Sequence, residues 1–158
     1  MCADLQADIK NRIRGKVAIV AIGNIMRSDD GLGSKLIEML KIRVVNARLF
    51  DCGTVPENYI FPILAASCDT VILVDAADLG MSAGSAKVLD LENIVNVSFS
   101  THAPSPLLFT DLLKTGRDDL NIFVVSVQPK STTLGGPLSA EVVQSLAMLT
   151  DMFAAALA

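Results

Sequence analysis

Three short runs dictate the architecture. KVAIVAIG (16–23), TVILVD (70–75) and NIFVVSV (121–127) are apolar, rich in β-branched residues and almost bare of charge. Unbroken runs of this length mark strands buried on both faces, as in a parallel sheet covered by helices. The intervening segments supply those helices. Leu32, Leu36, Ile37 and Leu40 recur at helical spacing within Gly31–Leu40. Glu57–Ala66 reads as a helix that Pro62 shortens or kinks, Pro106–Leu113 has a helical pattern, and a final helix follows Ser139. Leu5, Ile9 and Ile13 predict a short N-terminal helix with one apolar stripe. Arg43–Asp51 reads as another strand. Ser85–Leu91 reads as a further one, whose short connection favours an edge or hairpin position. Alternation of strand and helix implies the α/β class: an open, twisted, mostly parallel sheet of about five strands with helices on both faces. A chain of 158 residues fits one such domain, with residues 1–15 as a helical extension.

Composition excludes several functions. Hydrophobic residues make up 51% and charged residues 19%, enough for a core and wrong for disorder. The net charge is -4 and the pI about 4.8, and an acidic surface repels phosphate backbones, so no nucleic-acid partner is expected. Cys2, Cys52 and Cys68 are odd in number and form no CxxC pair. That predicts neither a disulfide framework nor a thiolate zinc site, and suits a cytoplasmic protein. The N-terminal MCADLQADIKNRIRGK lacks the apolar stretch of a secretory signal. Glu141, Gln144, Ser145 and Asp151 interrupt the apolar C-terminal stretch, which therefore reads as an amphipathic helix on a core, not a membrane span.

Open α/β sheets bind ligands beyond the carboxyl ends of their strands. Here those tips are GNIMRSDDGLG (23–33), DCGTVPEN (51–58), VDAAD (74–78), STHAPSP (100–106) and SVQP (126–129). The first is neither a GxGxxG fingerprint nor a Walker loop, and its paired acids would repel phosphate unless a cation intervened. Asp29 or Asp30 can cap the following helix while the other faces a ligand. Asp75 closes an apolar strand and, if buried, needs a cation, donors or water; the structural reading is a carboxylate binding amides of the next turn. Asp78 reads as a turn residue. His102 is the single histidine. A lone histidine is more often structural than functional, but this one lies on a sheet-tip loop. One imidazole with Asp30 and Asp75 makes a hard, open, incomplete ligand set that suits a divalent first-row metal.

GNxxxxDDGxG, DxGTxPEN, VDAxDxG, THxxS and QP followed by GxxLS occur here in that order. Together they resemble the hydrogenase maturation endopeptidases, the proteases that finish the large subunit of nickel–iron hydrogenases. The resemblance runs from about Val17 to the last helix. It implies a twisted sheet flanked by helices, acting as a monomer on the large-subunit precursor. It also implies removal of a C-terminal extension after nickel insertion. Two acids and one histidine of the family contact the metal; the matching positions are Asp30, Asp75 and His102. The expected metal is nickel carried by the substrate, with no resident cofactor. Cys52 stands where the family often has glycine, and the first sixteen residues extend beyond the usual start.

The family has been grouped with aspartic-type peptidases, yet one histidine and two aspartates are not a symmetric carboxylate dyad. No GxSxG elbow is present, and the cysteines lack a histidine pairing. Two other readings are a nucleotide-binding α/β enzyme, disfavoured by the acidic first loop, and a nickel chaperone that binds the metal and leaves the precursor uncut.

Overall fold

The computed structural model describes residues 2–99 and 106–158. A first helix, α1 (Cys2–Arg12), leads into strand β1 (Val17–Ala21). A 3-10 turn over Ser28–Gly31 runs directly into α2 (Leu32–Leu40). Strand β2 (Ala47–Asp51), a 3-10 turn over Pro56–Tyr59 and α3 (Ile60–Ala65) follow. Then come β3 (Thr70–Asp78), β4 (Ala86–Leu89), a 3-10 turn over Leu91–Asn96 and β5 (Ser98–Phe99). The chain finishes with α4 (Pro106–Gly116), β6 (Asn121–Val127) and α5 (Ala140–Ala156).

Among the described residues the sheet has six strands in the order β2-β1-β3-β6-β4, with β5 paired to β3. β2, β1, β3 and β6 are mutually parallel neighbours, whereas β4 lies antiparallel on β6 and β5 antiparallel on β3. The α/β class is as the three apolar runs predict, with six strands where about five were expected.

Alternation along the strands separates two cores. One face carries Ile19, Ile72, Val74, Phe123 and Val125, packed with residues of α2 and α5. The other carries Val20, Val71, Leu73, Ile122 and Val124, packed with Ile63 of α3 and Phe109 and Leu113 of α4. α1 belongs to the first face: Ile9 is fully buried, with Leu5 and Ile13 packed beside it. The C-terminal stretch behaves as an amphipathic helix, burying Val142, Leu146, Leu149 and Phe153. Among the described residues no helix is long and apolar enough to cross a membrane.

Several boundaries differ from the sequence expectation, three of them for a plain local reason. The strand expected from Arg43 begins at Ala47, because the Arg43 and Val44 amides still donate to the Leu40 carbonyl and wind off the end of α2. The helix expected over Glu57–Ala66 is split into the 3-10 turn and a shortened α3, with Pro62 in the first turn of α3. The strand expected to stop at Asp75 runs on to Asp78, because β5 pairs with Ala77 and Asp78.

Candidate active site

Strand order reverses between β1 and β3: β1 leads outward to β2, and the chain returns past it to lay down β3 on the other side. A crevice opens at such a switch point. Two of the three predicted site residues lie there. Asp30 sits in the 3-10 turn leaving β1, and Asp75 sits on β3 one residue past Val74, the last β3 residue in register with β1. Both are buried, Asp30 at 0% and Asp75 at 1% exposure. His102 lies outside the described residues; in sequence it falls between β5, paired to the end of Asp75's own strand, and α4.

The first loop is shaped to bring Asp30 inward. Gly23 has φ +153°, and a Cβ there would lie 2.1 Å from the Asp30 carbonyl oxygen, so the backbones touch where only glycine fits. The Asn24 amide donates to Asp30 Oδ2 at 2.9 Å. Asn24 Oδ1 in turn accepts from the Met26 amide, closing a tight local turn. Gly33 lets α2 settle against the strand tips: a Cβ there would lie 3.0 Å from Ala21 Cβ and 3.3 Å from the Val74 carbonyl.

Three carboxylate oxygens at the crevice are buried without a hydrogen-bond partner among the described residues: Asp30 Oδ1 and both oxygens of Asp75. Folded proteins rarely leave such groups orphaned. Burial pushes the Asp75 carboxyl well above the usual carboxylate range, and the charge of Asp30 pushes it further. Burial also raises Asp30, while the Asn24 amide and the Arg27 charge work the other way. The pair therefore holds a proton more readily than free aspartates do. It is poised to exchange that proton for a cation or to act as an acid–base group.

Asp29 does something else. It is as buried as Asp30, yet it caps neither its own turn nor α2. Its Oδ2 accepts from the amides of Lys130 and Ser131 and from the Ser139 hydroxyl, and its Oδ1 accepts from the Ser139 amide. It thus ties the first loop to the segment that starts α5. Asp78, expected in a turn, is instead the exposed last residue of β3, and its carboxylate accepts from the Gly80 amide of the turn that follows at 3.1 Å. Gln128, in the fifth sheet-tip segment, accepts from the amides of Leu79 and Met81 and so fixes the turn leaving β3, a role its sequence position did not reveal. Ser126, also in that segment, is fully buried beside Asp75 on β6.

Beside Asn24, at the tips of β1 and β2, lies a cleft of about 320 Å³ lined by Gly23, Asn24, Ser34, Asp51 and Tyr59, with neither Asp30 nor Asp75 in its wall. The Ser34 hydroxyl holds Asp51 Oδ1 at 2.7 Å. Cys52 at its wall is buried and free, and burial, with the nearby Asp51 charge, pushes its thiol up to about 12, so it is no nucleophile.

Fold and site together define an α/β protein with an acidic crevice at the sheet's switch point, suited to a cation or a proton in transit and unsuited to phosphate. The chain belongs to the hydrogenase maturation protease family: residues 32–156 match the family described as HycI, hydrogenase maturation protease. It is similar to a putative hydrogenase maturation protease of Methanocaldococcus jannaschii, 27% identical over 124 residues, covering 73% of each chain. It is likewise similar to the hydrogenase 3 maturation protease of Escherichia coli K12, 28% identical over 113 residues, covering 70% of this chain and 71% of that one. In three dimensions it resembles the crystal structure of the [NiFe] hydrogenase maturation protease HycI from Thermococcus kodakarensis. The TM-score is 0.86 at 27% identity, with 95% of this chain and 98% of that chain covered.

Proposed function

We propose that this protein is the endopeptidase that removes the C-terminal extension of a nickel–iron hydrogenase large-subunit precursor after nickel insertion. The observation that carries the reading is the pair of buried aspartates at the switch point, with three oxygens unpartnered among the described residues. Family membership supplies the substrate class. The substrate's own nickel is the recognition element: Asp30 Oδ1, an oxygen of Asp75 and the imidazole of His102 meet it and so fix the scissile peptide beside them.

Within this reading the chain's residues have separate tasks. Asn24 holds Asp30 through Oδ2 and leaves Oδ1 for the substrate. Asp75, whose burial makes it hold a proton more tightly than a free aspartate does, gives up that proton when the cation arrives. Water then attacks the scissile carbonyl with a carboxylate as general base or with the nickel as Lewis acid, and the proton passes to the leaving amine. No metal resides in the enzyme between turnovers. Two carboxylates and one imidazole leave open positions on the ion, which the precursor's own ligands keep filled. Cys52 and Cys68, buried and free, suit a reducing compartment, and we place the protein in the cytoplasm as a monomer.

Incubation of metal-loaded precursor with wild type and with Asp30→Ala, Asp75→Ala and His102→Ala tests the assignment by mass spectrometry of the product. Each variant should lose processing while its circular dichroism stays that of a folded protein. Full cleavage by any one of them removes that residue from the site.

A further inference from the structure

Asp75 has a neighbour that the function described above does not use. In the parallel register of β3 and β6, Asp75 stands opposite Ser126. Neighbouring strands lie about 4.8 Å apart, and opposed residues point to the same face. Val71 and Leu73 on one strand and Ile122 and Val124 on the other identify that face as the one packed with residues of α3 and α4. Ser126 is 0% exposed, and its hydroxyl has no hydrogen-bond partner among the described residues. On its other side the antiparallel register places Lys87 of β4, an exposed residue.

The two groups are chemically complementary. A serine hydroxyl has one proton to donate, and a carboxyl oxygen can accept it whether the group is ionised or holds its own proton on the other oxygen. Rotation about one side-chain bond moves the hydroxyl, and the strand spacing allows an O–H···O contact of about 2.7 Å. An aspartate needs such a donor to hold one orientation, since its terminal torsion is broad and roughly two-fold. Neither oxygen of Asp75 has a donor in full hydrogen-bond geometry among the described residues, although the Ala76 amide stands near enough to favour the ionised form.

The geometry points to Ser126 as the positioning residue of Asp75: its hydroxyl donates to one carboxylate oxygen and leaves the other turned toward the substrate. This rests on the assignment of Asp75 to the site. Ser126 touches neither substrate nor metal, and its effect runs through Asp75.

The test has two arms. In protein labelled with ¹³C at aspartate carboxyl carbons, the Asp75 resonance is identified by its loss in Asp75→Asn. Ser126→Ala, which removes the donor, and Ser126→Cys, which keeps the shape at slightly larger volume with only a weak donor, should both move that resonance and leave those of exposed aspartates in place. In cleavage of metal-loaded precursor both variants should lose about ten- to a hundred-fold in kcat, as outer-shell changes do, with KM little altered. An unmoved Asp75 resonance overturns the inference, as does a Ser126→Cys enzyme that keeps the wild-type kcat, which would mean that Ser126 only fills space. Should wild type cleave no precursor, the functional reading fails, and the resonance still decides whether Ser126 holds Asp75.

Discussion

Asp29 and Ser139 are joined by two hydrogen bonds, the Ser139 amide to Asp29 Oδ1 at 2.6 Å and its hydroxyl to Oδ2 at 2.9 Å. Ser139 is also the N-cap of α5, accepting from the Val142 amide. One buried carboxylate therefore anchors the last helix to the loop that carries Asp30.

Asp29→Ala should cost roughly 1–3 kcal/mol of stability, because it removes a buried acceptor from four part-buried donors on Lys130, Ser131 and Ser139. Burial alone would raise the Asp29 carboxyl, but its donors outweigh that and hold it below 3.8. A depressed folded value gives stability that is present above the unfolded one and lost as pH falls through the folded one. Urea denaturation at neutral pH should show the full deficit of the variant, and the gap to wild type should narrow in strong acid. A variant as stable as wild type at neutral pH contradicts the brace.

Asp75 has the opposite sign. Its folded value is raised, so the folded state holds the proton more tightly than the unfolded chain. Stability therefore falls as pH rises from the unfolded value of 3.8 toward the folded one. Asp75→Asn cannot ionise and should escape that loss. Thermal melts should show little difference from wild type near pH 4 and an advantage on the order of 1–3 kcal/mol near pH 8, with each kcal/mol worth about 2–4 °C in Tm. The same variant should be inactive in processing, a site residue kept at the expense of stability. An Asn variant that melts below wild type at pH 8 would show that Asp75 is structural.

Gly23 and Gly53 both have positive φ, +153° and +56°, but differ in surroundings. Gly53→Ala meets nothing within 4 Å and should cost only the left-handed strain of about 1–2 kcal/mol. Gly23→Ala drives a Cβ into the Asp30 carbonyl and should cost more than about 3 kcal/mol, or move Asp30 and abolish cleavage. Equal effects at the two positions would contradict the close approach that sets Asp30.

A chain beginning at Gly15 loses Ile9 from the first core. It also loses the Arg12 carbonyl that accepts from the Asn121 side chain and the Arg14 backbone that pairs with the Thr70 hydroxyl. Removing one fully buried aliphatic side chain costs roughly 2–5 kcal/mol, so Tm should fall markedly and processing should fall with the folded fraction. An unchanged Tm would make α1 dispensable.

What the sequence disclosed follows from the range of the forces involved. The central strands and α5 were legible because their apolar patterns are local. Asp30 and Asp75 were legible as tip residues because an ionisable side chain at the end of an apolar run stands out. The job of Asp29 was hidden, since its partners lie about a hundred residues away and nothing near DD distinguishes one acid from the other. β5 was hidden because a strand as short as Ser98–Phe99 has no periodicity and exists only through its pairing with β3. Val44 and Val45 suggested a strand, but Val44 is buried as the chain leaves α2, a packing demand that overrides β propensity. Ser126 looked like an ordinary strand serine until the register set it beside Asp75.

The central claim is that the enzyme reads a metal held by its substrate at Asp30, Asp75 and His102. It is tested most directly by presenting one purified, metal-free preparation of the protein with the same large-subunit precursor in two forms, nickel-loaded and nickel-free, and weighing the products. The account predicts loss of the C-terminal extension from the nickel-loaded form alone, with calorimetry showing only weak binding of free nickel to the enzyme. Cleavage of the nickel-free precursor at a comparable rate, or tight stoichiometric nickel in the enzyme itself, would contradict it.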